Sequence, residues 1–476
     1  MNRSVMATPQ ALVEQALSTS TSDDCIVIVQ DRTSANLRWA NNTLTTNGVM
    51  HGVSVTVIAF VHIAGVAGTD GGVASGSVSG TATTQAQVDD LVRAADAAAR
   101  AARPAEDVNP LVAPDEGAPG STTWDEAPEP TDIHVYDAFA PALGEAFGRA
   151  SAGDRILYGF VNHEMTTTYL GSTTGLRLRH AQPTGHYGCT GKDAALTTSA
   201  WVGGATRDFT DVDALAMEQT LATRLGWGAR RHDLPAGRYD TILPPSAVAD
   251  LMIDAYWYAG ARTAWEGQSV YSRRGVGTRI GEDIAAPNVT LFSDPSFVGL
   301  ACAPFTVAGA SGNDASVFDN GLPLGRTDWI RDGKLTALRQ TRHSAAMTAL
   351  PVTPAIDNLV LAVDGAAGSV EDLVAGTERG LLLTCLWYIR EVDPQSLLLT
   401  GLTRDGVYLI ENGEITGSVN NFRWNESPVD LLRRFSASSA TELSFSREWG
   451  DDYFSRTATP GLRVPDFNMS SVSQAM

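Results

Sequence analysis

The chain is poor in cysteine and in positive charge. Its four cysteines, Cys25, Cys189, Cys302 and Cys385, stand far apart in 476 residues, and no CxxC occurs. That spacing excludes a zinc ribbon and a thioredoxin-like motif, and isolated thiols suit a reducing cytoplasm. Lys and Arg number 34 against 54 Asp and Glu, a net charge of -20. Such a surface repels phosphate backbones and anionic membranes, so no nucleic-acid or membrane partner is expected. No run of about 18 apolar residues appears, so no transmembrane helix is expected either. The opening stretch, "MNRSVMATPQALVEQALSTST", lacks the continuous apolar core of a secretory signal. There is no GxSxG elbow, no GxxxxGK(S/T) phosphate loop and no GxGxxG after a strand.

What is present is a globular chain with 43% hydrophobic residues, long enough for two cores. "TPQALVEQALSTS" has helical spacing at Leu12, Val13, Ala16 and Leu17, with Thr8 as N-cap. "TTQAQVDDLVRAADAAARAARP" is the clearest helix, stopped by Pro104. Strands are expected in "DDCIVIVQDRTS" and "GVSVTVIAFVHIAGVAG", with Asn47–Gly48 as a hairpin signal. Residues 104–130 are rich in Pro, Asp, Glu and Gly and read as an acidic surface loop or linker. Helices follow near 131–153 and 211–229, with Thr-, Tyr- and Val-rich strands between them. Beyond residue 234 short β segments dominate, and "RDGK", "RDGV" and "ENGE" read as hairpin turns. The expected architecture is α+β: an N-terminal mixed α/β domain over 1–234, then a mainly antiparallel, barrel-like β domain over 235–476. Inside the second domain one helix is expected over 246–266, with Val248, Leu251, Ala255 and Ala259 on one apolar stripe.

Candidate chemistry is sparse. His163–Glu164 opens like a zinc helix, but Thr167 and Thr168 stand where a second histidine is needed, and the run favours a strand. His180, His186 and Cys189 have the right donor types for zinc, yet no fourth ligand is apparent, and Pro183 and Gly185 suggest a loop. Arg177, Arg179, Arg273, Arg274 and Arg279 are the main basic residues and suit a peptide carboxylate or an acidic partner, against the simpler reading of surface ion pairs. The pair Glu282–Asp283 has no specific spacing. No catalytic set is visible from motifs alone.

Several blocks do match a pattern. "LRWANNTLTTNG", "GRYDTILPPSAVADLM", "EGQSVYSRRGVGTRIGEDI" and "DGVYLIENGEITGSVNNFRWNESPVDLLRRF" resemble, in order, blocks of the TldD/PmbA family of zinc peptidases. The resemblance spans roughly residues 10–465. In the family's catalytic branch the helix after the Pro-rich break carries HExxxH, and a cysteine near the C-terminus completes the site. Counting back from Gly267-Gln268-Ser269-Val270-Tyr271, those slots fall on Met252, Ile253 and Trp257. No His occurs between His232 and His343, and no Cys follows Cys385. The resemblance is therefore to the PmbA/TldE branch, which lacks the metal motif. It implies a non-catalytic subunit that binds no cofactor itself, with zinc held by a TldD-like partner, and an extended or unfolded peptide as substrate. Arg179, His186, Arg273 and Arg274 are the expected groove or interface residues. Two alternatives stay open: a homo-oligomeric peptide-binding protein, homodimeric when alone, and a hydrolase with a site rebuilt from His180, His186 and Cys189.

Overall fold

The computed structural model describes residues 7–64, 71–275, 277–450, 454 and 456–474. The first half is built on β1 (Asp24–Ala40), β2 (Thr43–Ile63), β3 (Gly72–Thr81), β4 (Arg155–Ser172), β5 (Arg177–Asp193) and β6 (Ser199–Thr206). They form one antiparallel sheet in the order β3-β2-β1-β4-β5-β6. Asn41 and Asn42, at φ 53° and 57°, make the turn between β1 and β2. Two left-handed residues give the turn whose twist matches that of the strands, and asparagine tolerates that region. The hairpin expected at Asn47–Gly48 is thus displaced: both residues lie inside β2, opposite Leu37 and Asn36.

Four helices cover one face of this sheet: α1 (Pro9–Thr19), α2 (Gln85–Ala101), α3 (Phe139–Ala152) and α4 (Ala214–Trp227). Thr8 caps α1, and Thr84 with Gln87 forms a capping box on α2. Strand alternation sends Val27, Val29, Leu37 and Trp39 to the helices, where they meet Val88, Val92, Leu143 and Leu221. The intervening residues, Ile26 and Ile28, face the other way with Phe60, Leu170 and Leu178. There they pack on Phe305, Val317 and Phe318 from the second half, so the halves share a core. The 104–130 stretch is no free linker. Val112 and Ala118 are buried in that shared core, and Trp124 meets Tyr169 edge-on at 5.6 Å.

Two further sheets make up the second half. A six-stranded one joins Val289–Ser293, Thr327–Arg331, Lys334–Leu335, Leu359–Val363, Glu442–Ser444 and Thr457–Thr459. A ten-stranded one centres on Gly237–Leu243, Arg379–Leu383 and Leu462–Val472. It already includes Arg231–His232, which pairs with Glu414–Val419 just ahead of residue 235. The class is α+β, but both sheets are open, and the expected barrel-like closure is absent among the described residues. Asp332–Gly333 and Asn412–Gly413 turn hairpins between paired strands. Asp405–Gly406 does not: the strands Leu398–Thr403 and Val407–Glu411 that flank it pair with other neighbours.

The helix expected over 246–266 is two helices, α5 (Pro245–Trp257) and α6 (Ala261–Trp265). At Gly260 the chain turns extended, and a Cβ there would stand 2.4 Å from Asp314 Oδ1. The break is held by main-chain bonds from Arg339 N to Ala259 O (2.7 Å) and from Ala261 N to Arg339 O (2.9 Å). α5 lies in the largest core, among side chains from both C-terminal sheets.

Candidate functional site

The sheet face turned away from the helices changes character along its strands. On β1 it passes from Ile26 and Ile28 to Gln30 and Arg32. On β4 it passes from Leu170 to Thr168, Thr166, Glu164 and Asn162, and on β5 from Leu178 to His180, Gln182, Thr184 and His186. The apolar part is covered by the second half, while the polar part floors a groove of about 670 Å³. Ala303, Phe305, Asp319, Gln340, Phe454 and Arg456 contribute to its opposite wall.

Its charges are mostly paired. Arg32 Nε lies 2.8 Å from Glu164 Oε1, which also accepts from Thr166 Oγ1 at 2.8 Å. On the far wall Arg342 pairs with Asp319 at 2.7 Å and Arg339 with Asp314 at 3.0 Å. Arg456 donates to Thr184 Oγ1 at 3.2 Å and to the Asp357 carbonyl at 2.9 Å, linking roof to floor. Gln182 donates to the carbonyls of Pro183 (2.9 Å) and Ala301 (3.3 Å). His180 contacts Gln182 Oε1 at 3.0 Å, and burial holds its pKa below the ordinary imidazole value. The groove thus offers amides, hydroxyls and neutral imidazole, with both donors and acceptors.

The residues singled out from sequence fall in three places. His186 is on the groove floor, stacked on Phe445 at 5.9 Å and 11°. Arg179 is not: alternation on β5 turns it to the helix side, where Tyr169 and Glu129 engage it. Arg273 pairs with Glu282 at 3.1 Å, and with Arg274 it is exposed on the turn after α6, outside the groove lining. The cluster of His180, His186 and Cys189 is also undone. All three belong to a strand, not a loop, and Cys189 faces the opposite side from both histidines. Pro183 is tolerated because β6 pairs with β5 only from Gly185 onward, leaving the earlier part of β5 an edge. His163 is a strand residue, buried between Thr131 Oγ1 (2.7 Å) and the Arg207 carbonyl (2.8 Å).

On α5, Met252 and Ile253 are fully buried in the main core, while Trp257 is 41% exposed and lies edge-on to Trp449 at 5.7 Å. Thioether, aliphatic and indole side chains do not fit a zinc peptidase site, which needs imidazole donors and a carboxylate base. Cys385 does not fit either. It is buried against Trp201 and Phe445, and burial pushes its thiol pKa up.

Sequence reasoning overlooked two carboxyls on the same helix. Asp250 and Asp254 are one turn apart and buried. Asp250 Oδ1 accepts from Ser446 Oγ (2.8 Å) and Glu448 N (2.9 Å), and Asp254 Oδ2 accepts from Trp449 Nε1 (3.0 Å). Burial raises their pKa values to about 8 and about 7. They anchor segment 446–449, which leads directly to Gly450 on the groove wall. The i, i+4 spacing of two acids in an apolar helix is the signal that was available. For the groove itself, the signal was the period-two run of polar residues at 162–168 and 180–186.

Comparison with known proteins agrees with this architecture. Residues 236–471 match the PmbA/TldA metallopeptidase C-terminal domain, and residues 25–102 match PmbA/TldA metallopeptidase domain 1. The chain belongs to the TldD/PmbA family. Among solved structures it resembles TldE from Thermococcus kodakarensis, with 16% identity and a TM-score of 0.73 over 96% of this chain and 98% of that one. It also resembles a protein from Bacteroides thetaiotaomicron named as a putative modulator of DNA gyrase. There the identity is 14% and the TM-score 0.73, over 97% and 98% of the two chains. At such identities the likeness is one of fold. No curated protein matches the chain.

Proposed function

We propose that this chain is the non-catalytic, TldE-like subunit of a heteromeric zinc metallopeptidase that processes unfolded or extended peptides. The observation that carries the reading is α5. Family resemblance puts the metal helix there, and Met252 and Ile253 fill two of its key positions with core side chains. Zinc and the general base then belong to a TldD-like partner, and this chain binds no metal of its own. Arg273 and Arg274, exposed beyond α6, are assigned to contact with that partner. The four cysteines are buried and unpaired, in keeping with a cytoplasmic location.

The groove supports the second part of the reading. An extended peptide presents alternating main-chain donors and acceptors, and the Asn162 amide and Thr168 hydroxyl on the floor are of both kinds. The test is co-expression with a family member that carries HExxxH, followed by affinity capture and peptide titration. Association of the two chains is expected, together with peptide binding that Asn162→Ala weakens. Capture of this chain without any such partner, while it still binds peptide, would instead make it a stand-alone peptide-binding protein.

A further inference from the structure

Charge is distributed unevenly between the groove and a second pocket. Two arginines, Arg32 and Arg456, line the groove beside four carboxylates, those of Glu164, Asp314, Asp319 and Asp357. That balance follows the chain as a whole, with 34 Lys and Arg to 54 Asp and Glu. The second pocket, of about 400 Å³, reverses it: Arg238, Arg279, Arg433 and Arg434 line it against Glu426 and Asp430. Its arginines come from three distant stretches, the strand Gly237–Leu243, the segment after α6 and the short helix Pro428–Arg434. The two linings have no residue in common.

The fold leaves part of this positive charge uncompensated. Arg238 Nη1 donates to the Asp466 carbonyl at 3.0 Å. Arg433 Nε and Nη2 donate to the carbonyls of Ile284 (3.0 Å) and Asp283 (2.7 Å). Among the described residues neither arginine pairs with a carboxylate, and a carbonyl orients a guanidinium without cancelling its charge. Arg279 shares Glu282, at 3.0 Å, with Arg273 at 3.1 Å, so one carboxylate serves two cations. The two acids of the pocket are both taken by Arg434. Glu426 also accepts from Asn468 N at 2.7 Å, and burial pushes its pKa up. A guanidinium has five N–H donors. The bonds described use one nitrogen of Arg238 and two each of Arg279 and Arg433, so donors remain on all three. Gathering like charges in one wall costs energy that an anion between them offsets.

We propose that this pocket binds a small organic anion with two or more negative charges, carried on phosphate or carboxylate groups. Guanidinium forks match the oxygens of both groups and hold them by paired, charge-assisted hydrogen bonds. Arg238, Arg279 and Arg433 supply those forks, and Arg434 keeps the two wall carboxylates occupied. Val270 and Val429, both buried in the same lining, give the body of the ligand an apolar contact. A volume of about 400 Å³ falls in the range of small-molecule sites. The bound anion ties the segment after α6 to the short helix and to the strand that carries Arg238. The site lies outside the groove and does not rest on the functional reading above.

The test is calorimetric titration and thermal melting of the purified full chain with citrate, as a polycarboxylate, and with pyrophosphate, as a phosphate. Ionic strength is matched with sodium chloride, because any salt screens a net charge of -20. Saturable binding at one site is expected for at least one of the two, with a melting temperature above that in chloride, and the better ligand tells which group the pocket prefers. Arg238→Ala removes an exposed side chain with a single carbonyl bond, so the fold should survive it while affinity falls about tenfold. Arg433→Lys, which keeps the charge but loses the fork, should weaken binding as well. Arg149→Ala on α3, where the arginine pairs with Glu145 at 2.7 Å, should leave binding unchanged. The proposal is overturned if neither anion binds beyond the effect of chloride, or if Arg238→Ala and Arg149→Ala bind the anion equally well.

Discussion

Replacing Asp250 with Asn tests how α5 is held. The carboxyl is buried, and its Oδ1 accepts bonds from Ser446 and Glu448. An amide oxygen accepts the same two bonds, so Asn reproduces the neutral acid. Burial puts the folded pKa near 8, against about 3.9 in an unfolded chain. A carboxyl whose folded pKa is raised loses stability as pH climbs from the unfolded value to the folded one. Asn pays no such ionisation penalty. Its advantage over Asp should therefore grow by on the order of 4 kcal/mol between pH 5 and pH 9. Urea unfolding of both proteins at pH 5, 7 and 9 measures this directly. If Asp250 instead ionises readily beside Arg447, the sign reverses and Asn becomes relatively worse at high pH. That outcome would refute the assignment of a neutral acid.

Other expected outcomes follow from the same contacts. Met252→Ala should cost about 2–5 kcal/mol, the range for emptying a packed core site, without changing metal content measured by mass spectrometry. Tyr256→Phe removes a hydroxyl that accepts from Ile356 N at 2.8 Å, which should lower stability by about 1–3 kcal/mol in denaturant titration. The two turn asparagines should separate. Asn41→Gly should lose less, since glycine suits φ 53° and the bond it removes, from the Tyr158 hydroxyl to Asn41 Oδ1 at 2.8 Å, is exposed. Asn42→Gly should lose about 1–3 kcal/mol, because Asn42 Oδ1 accepts from Leu157 N at 2.7 Å; thermal melts of the two variants make the comparison.

Local signals were readable wherever one principle acted alone. Thr84 and Gln87 announce α2, and Asn412–Gly413 announces a hairpin. Legibility failed where tertiary contact decided. Asn47–Gly48 has the composition of a turn, but β1 continues past it to Ala40 and draws both residues into β2. Pro183 and Gly185 suggested a loop, but the strand is at an edge there and has no ladder bond to lose on that side. The break at Gly260 depends on main-chain bonds to Arg339, which lies far along the chain. The groove floor was written in the alternation of β4 and β5, yet a polar strand face looks like a solvent face until its roof is known. Asp250 and Asp254 are set among apolar neighbours on α5, and their role is fixed only by what they bond to. Their partners, Ser446 to Trp449, come nearly 200 residues later.

The central claim is that this chain supports proteolysis without holding the metal. The most direct measurement is zinc content and cleavage of an unstructured peptide, for the purified chain alone and for the chain reconstituted with an HExxxH-bearing family member. The account predicts no stoichiometric zinc and no cleavage for the chain alone, with cleavage in the pair lost when the partner's motif is mutated. Stoichiometric zinc and peptide turnover by the chain alone would contradict it.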